Sequence, residues 1–172
     1  LKYNSKLSIV IDYGEGPDLI RAFQKKELDL LILPETDQQF GMHLHDVEKR
    51  FLFKEEMWLV GSGKDMDMPK QITIEQVNKY PLIFFSRELP AFNKQLLDQL
   101  HQKKVHIEPT FISPNVGTLK RVIESGLGWG FLPSSSIKKQ VRSGRMNRVD
   151  VKDLNYEIEF FFYSHQTQAQ TS

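Results

Sequence analysis

The residues best suited to chemistry stand at the start of one helix and just after one strand. Asn115 and Thr118 fall in the first turn of a helix predicted to open with Ser113 as N-cap and Pro114 at the first helical position, where a missing N–H costs nothing. The unpaired N–H groups and dipole of such a turn favour an anion. Arg87, preceded by Ser86, follows the strand-like run Leu82 to Phe85 and would suit a carboxylate or phosphate through charge-assisted hydrogen bonds. Phe85 and Trp129 are candidate apolar walls, weighed against the commoner fate of a strand aromatic, which is core. Loops at the ends of two earlier strands add Gly16 and Pro17 from GEGPD, and Pro34 and Thr36 from PETD. The plain alternative for Ser86 and Arg87 is a surface loop.

Other chemistries find less support. GLGWG (126–130) resembles a phosphate loop in composition, but its glycines enter a strand instead of linking a strand to a helix, so no helix N-terminus faces a phosphate. His43 and His45 alternate like two ligands on one strand face beside Asp46, yet a metal would want a third convergent ligand, and exposed histidines are the simpler expectation. His101 and His106 flank a lysine pair and are expected to be solvated. Ser134, Ser135 and Ser136 read as helix-capping residues, not as a strained nucleophile elbow. Glu55 and Glu56 are adjacent on an extended segment, so they point to opposite faces and cannot act as a carboxylate pair. No catalytic residue, metal or cofactor is expected.

The elements that must position these groups alternate between strand and helix. Leu7–Asp12 is a β-branched run, Asp18–Lys26 sets Leu19, Ile20 and Phe23 on one helical face, and Leu28–Leu33 is an apolar run broken only at Asp29, which implies a strand covered on both faces in a parallel sheet. Extended chain follows over Leu44–Val60, then a breaker-rich loop, GSGKDMDMPK (61–70). A second series comprises a short helix near Thr73–Asn78, strand Leu82–Phe85, helix Phe92–Lys103, strand Thr110–Ile112 and the Ser113 helix. In that helix Leu119, Val122 and Ile123 share a face and Gly126 suits a left-handed C-cap. Gly126, Gly128 and Gly130 then alternate with Leu127, Trp129 and Phe131 in a strand that admits a close approach to its backbone and stops at Pro133. A capped helix at SSSIKKQVRSG and extended segments at 149–151 and 158–163 complete the chain.

Composition narrows the classes. The 172 residues fit one large domain or two small ones, and a hydrophobic content of 40% can build a core. The longest apolar runs fall far short of the roughly 20 residues that span a bilayer, and the opening residues lack a signal-peptide layout, so a cytoplasmic location without membrane contact is expected. With no cysteine, disulfides and thiolate chemistry are excluded. Net charge is +1, but unevenly spread: residues 101–148 carry nine basic and two acidic side chains. These cations are expected on solvated faces of separate elements, since no recognition-helix pattern accompanies them.

The pattern V-x-x-G-x-G-x-x-x-L-P, here Val122, Gly126, Gly128, Leu132 and Pro133, resembles the regulatory domain of LysR-type bacterial transcriptional regulators. FQKKELDLLIL (23–33), LFKEEMWLV (52–60) and YPLIF (80–84) are similar to further segments of that family in the same order. The resemblance implies an α/β fold with two Rossmann-like subdomains joined by two crossover strands, type 2 periplasmic-binding-protein-like. Subdomain I is expected over 1–60 with 134–172, and subdomain II over 61–133. It also implies that the chain opens near the end of the family's first helix, without the first strand and the DNA-binding winged helix.

By the same resemblance the domain performs no reaction. A small-molecule effector, anionic from the Arg87 and helix pairing, would sit in the cleft between subdomains and modulate DNA binding. The effector residues expected are Gly16, Pro17, Pro34, Thr36, Phe85, Ser86, Arg87, Asn115, Thr118 and Trp129. The full-length protein is expected to be a homo-oligomer, dimer or tetramer, contacting DNA only through its N-terminal winged helix-turn-helix. Two rivals share the scaffold: a stand-alone solute-binding protein serving a transporter, and an enzyme such as a small transferase or porphobilinogen-type deaminase, which would need a reactive lysine or cysteine.

Overall fold

A computed structural model describes residues 6–14, 16–34, 46–85 and 90–166. The chain divides into two units, residues 1–51 with 161–172 and residues 52–160. Two long strands run from one unit into the other, β2 (Val47–Ser62) and β8 (Glu157–His165). Residues 134–160 stay in the second because Ile137 and Met146 close an apolar cluster with Val60, Ile83 and Leu132.

In the first unit, helix α1 (Gly16–Gln24) precedes strand β1 (Leu30–Pro34), and the strand order is β1-β8-β2. Ile20 and Phe23, one turn apart on α1, bury against Leu31, Leu33 and Tyr163. His165 stacks on Phe23 with ring centroids 4.0 Å apart, and its Nε2 lies 3.2 Å from the Leu28 carbonyl. Two expectations fail here. β1 alternates, with Leu31 and Leu33 buried but Leu30 and Ile32 exposed, so α1 covers one face and nothing described covers the other. Four consecutive apolar residues, Leu30 to Leu33, cannot reveal which of the strand's faces is covered. Residues 7–14 form no strand and expose Leu7, Ile9, Val10 and Ile11, because β propensity becomes a strand only where a neighbour pairs with it.

The second unit is layered. Strands β4 (Leu82–Phe85), β5 (Phe111–Ser113) and β6 (Trp129–Pro133) are parallel, with β4 central, and β2 runs antiparallel to β6. β7 (Met146–Lys152) pairs antiparallel with β2 and parallel with the short β3 (Gln71–Thr73). Alternation along β2 sorts the side chains. Met57 and Leu59 join Leu96 and Leu100 of helix α2 (Pro90–Gln102), while Val60 joins Leu119 and Ile123 of α3 (Val116–Glu124) and Ile137 of α4 (Ser134–Arg142). A 3₁₀ helix, Ile74–Lys79, stands where the short helix was expected.

The glycine-rich strand admits the protein itself. A Cβ on Gly128 would lie 2.7 Å from the Pro81 carbonyl oxygen, and one on Gly130 would lie 2.9 Å from Ile123 Cδ1 and 3.1 Å from the Ile83 carbonyl oxygen. These glycines let β6 approach β4 and α3. Gly126, with φ of +85°, ends α3 in the left-handed region as its position predicts.

Candidate functional site

The start of α3 lies two residues later than the sequence predicts. Ser113 is the last residue of β5, and its Oγ accepts from the Asn115 N–H at 3.1 Å. The N-cap is Asn115, whose Oδ1 accepts from the Thr118 N–H at 2.9 Å. Pro114 therefore precedes the helix, and the competing asparagine cap sets the boundary. Asn115, Gly117 and Thr118 are exposed, so this turn opens to solvent with the positive end of the helix dipole outward.

Parallel pairing brings two chain ends to one level. Phe85 is the register partner of Ser113, so β4 and β5 finish side by side at their carboxyl ends, the side on which open parallel sheets bind ligands. Ser86 and Arg87 come next in the chain and lie outside the described residues, as does Thr36. His43 and His45 lie outside them too.

Trp129, expected as an apolar wall, packs in the second unit's larger cluster. It is 6% exposed and stacks on Tyr80 with ring centroids 3.8 Å apart. In the first unit Gly16 and Pro17 open α1, with Asp18 and Arg21 paired behind them, and Pro34 ends β1 half-buried.

One functional-looking residue escaped the sequence reading. Glu55 is 8% exposed, and its Oε1 accepts from the Ser135 N–H at 2.8 Å and lies 3.5 Å from Ser134 Oγ. The carboxylate thus caps α4, a task expected of the serines; Ser136 Oγ instead donates to the Pro133 carbonyl at 2.7 Å. An anion already occupies this helix end, so it offers no site. The available signal was the pair of adjacent glutamates on a strand, one of which must point inward. Glu56 is the outward one, 3.3 Å from Arg148 Nη2.

A cavity of about 350 Å³ opens in the second unit beside β2. Met57, Phe131 and Tyr156 contribute apolar surface, and Arg148 lies on its rim, 3.2 Å from Asp150 and 4.1 Å above the Trp58 ring. Burial pushes the Tyr156 hydroxyl well above its ordinary range, so it stays neutral. Trp58 Nε1 finds no hydrogen-bond partner among the described residues. None of the expected effector residues lines this cavity.

Among the described residues no helix is long and apolar enough to cross a membrane, and no group of three acidic or histidine side chains could hold a metal.

Comparison with known proteins agrees with this architecture. The regulatory domain of HypT from Salmonella typhimurium superposes with a TM-score of 0.78 at 16% identity, covering 99% of this chain and 79% of its own. DarR from Vibrio fischeri, in complex with DNA, gives 0.75 at 17%, with 98% of this chain matched but 55% of DarR. The effector binding domain of QuiR in complex with shikimate gives 0.72 at 13%, over 91% and 71%. No curated protein matches the chain by sequence. The LysR substrate binding domain family matches residues 4–172. With four of its segments, its α/β layering and almost its whole length in agreement, the chain belongs to the LysR family as a C-terminal effector-binding domain of type 2 periplasmic-binding-protein-like fold.

Proposed function

We propose that this chain senses a small anionic metabolite for a bacterial transcription regulator, and that the anion is held at the open start of α3 in the second unit. The observation that carries the anion is the exposed turn at Asn115, Gly117 and Thr118, level with the end of β4. Arg87, two residues beyond that strand, supplies the countercharge and Ser86 a hydroxyl. Shikimate, the ligand of the similar QuiR domain, is a carboxylate, which fits the same chemistry. The domain performs no reaction. It transmits occupancy, because a ligand that prefers one of two arrangements shifts their populations by its differential affinity. In the longer protein the readout is the arrangement of a cytoplasmic homo-oligomer on DNA.

The test is calorimetric titration with a panel of hydroxylated carboxylates and phosphorylated acids. One of them should bind, and Arg87→Ala should weaken it by tenfold or more, about 1.4 kcal/mol. Binding left intact by Arg87→Ala would remove the cationic anchor from the proposal. A solute-binding protein is the alternative reading, and the mass and N-terminal sequence of the native protein separate the two. An upstream winged helix supports the regulator; a processed export signal supports the transporter component.

A further inference from the structure

Six of the nine cations between residues 101 and 148 lie on α3, on α4 and in the turn after α4. Helices α3 and α4 lie together on the cluster formed by Leu119, Ile123 and Ile137, and Lys120 Nζ donates to the Ser136 carbonyl at 2.9 Å, tying one helix to the other. Their solvent side presents Arg121, Lys138, Lys139 and Arg142, followed by Arg145 in the turn after α4, all exposed. None of these five forms an ion pair among the described residues, whereas Lys54, Lys94, Lys103 and Arg148 in the same unit all do. Glu124 is the single carboxylate on the two helices.

What lies between the cations indicates the partner. On α4 and at its end the other exposed residues are hydroxylated, Ser135 and Ser143; no large apolar side chain is exposed on either helix, and the nearest, Leu127, lies past the end of α3. A protein partner would be anchored by aromatic and aliphatic side chains in a desolvated centre, and lysine is depleted from such interfaces. Arginine, lysine and hydroxyl groups without apolar anchors match the contacts made to a phosphate backbone. Lys138 and Arg142 stand one turn apart, about 6 Å, so adjacent positions on a polyanion can be met together.

We propose that the α3–α4 face binds the phosphate backbone of double-stranded DNA without reading its bases. This would be a contact additional to any made by a separate DNA-reading domain, and it does not depend on the effector reading. The probe is a short fluorescent duplex of arbitrary sequence titrated with the 172-residue chain by anisotropy at several salt concentrations. Binding should weaken linearly in log–log form with a slope no steeper than about −4.5, at about 0.9 for each of five phosphates. Reversing Lys138→Glu, Lys139→Glu and Arg142→Glu together should reduce affinity more than tenfold and flatten the slope by about 2.7. Lys94→Glu, on α2, should change it little. The milder pair Arg121→Ser and Arg145→Ser should flatten the slope by about 1.8, and this serves if circular dichroism shows the triple variant misfolded. Absence of duplex binding, or equal losses for the α4 and α2 variants, would overturn the proposal. Polyglutamate competing charge for charge as well as DNA would also overturn it, in favour of an acidic protein partner.

Discussion

A buried carboxylate decides how α4 begins. Glu55 sits at the level of Ser135, and its charge is satisfied by a backbone N–H of a helix start, so its burial is compensated by a charge-assisted hydrogen bond and by the dipole. Its neighbour Glu56 is exposed and shares Arg148 with Asp150. Replacing Glu55 with alanine removes the cap and strands the Ser135 N–H, at a cost of about 2 kcal/mol. Glu56→Ala, by contrast, breaks only an exposed pair, worth less than about 1 kcal/mol. Urea denaturation should therefore show a lower midpoint for Glu55→Ala alone; equal midpoints would mean that the carboxylate does not hold α4. Strand alternation told from sequence that the two glutamates face opposite ways. It carried no sign of which faced inward, because that depends on a helix end about 80 positions later in the chain. Trp129 shows the converse: its neighbours Gly128 and Gly130 invite a ligand on paper, yet the approaching groups are Pro81, Ile83 and Ile123.

At the scale of elements, what was legible followed local rules. In the second unit each expected element lies within a few residues of its place, since turn residues and periodicity act over one or two turns, while the short strand β3 was not foreseen. The two misplaced features, β1 covered on both faces and a strand at 7–12, both required knowing a neighbour in space. The effector site was legible only as a list of loops, and three of its members, Thr36, Ser86 and Arg87, lie outside the described residues. The 3₁₀ helix offers an electrostatic prediction. Its Glu75 carboxylate is held below the ordinary value of 4.5, first by a backbone hydrogen bond, then by Thr73 and by Lys103 at 3.9 Å. A lowered folded pKa means that its contribution to stability is present above about pH 4.5 and lost as pH falls through the folded value. Glu75→Gln should thus be less stable than the native chain near neutrality, with the gap closing in acid; a gap unchanged down to pH 3 would refute the linkage. High salt should narrow it as well, through the exposed Lys103 contribution.

Among the described residues the core is divided unequally between the two units. Two clusters fill the second unit, built on residues from β2, β4, β6, β7 and three helices, and the largest includes fourteen buried side chains. The described part of the first unit buries five: Ile20, Phe23, Leu31, Leu33 and Tyr163. Its strand β1 also exposes about half of Leu30 and Ile32 (54% and 52%). At about 25 cal/mol per Å² of apolar burial, a smaller core lowers the free energy needed to open the elements that depend on it, so opening should begin with α1 and β1. Native-state hydrogen exchange tests this directly. Amides of Leu31 and Leu33 should exchange through a low-energy opening insensitive to small amounts of denaturant. Those of Ile83 and Phe131 should exchange only through an opening with a large denaturant slope, the mark of wide surface exposure. Because β2 and β8 enter both units, their protection should fall along each strand, high at Leu59 and Val60 and low at Val47 and Lys49 on β2. Uniform protection along β2 would mean that the two units unfold as one cooperative body. An anionic effector held at α3 alone would then raise the protection of α1 and β1 as much as that of β4, an outcome the unequal cores do not allow.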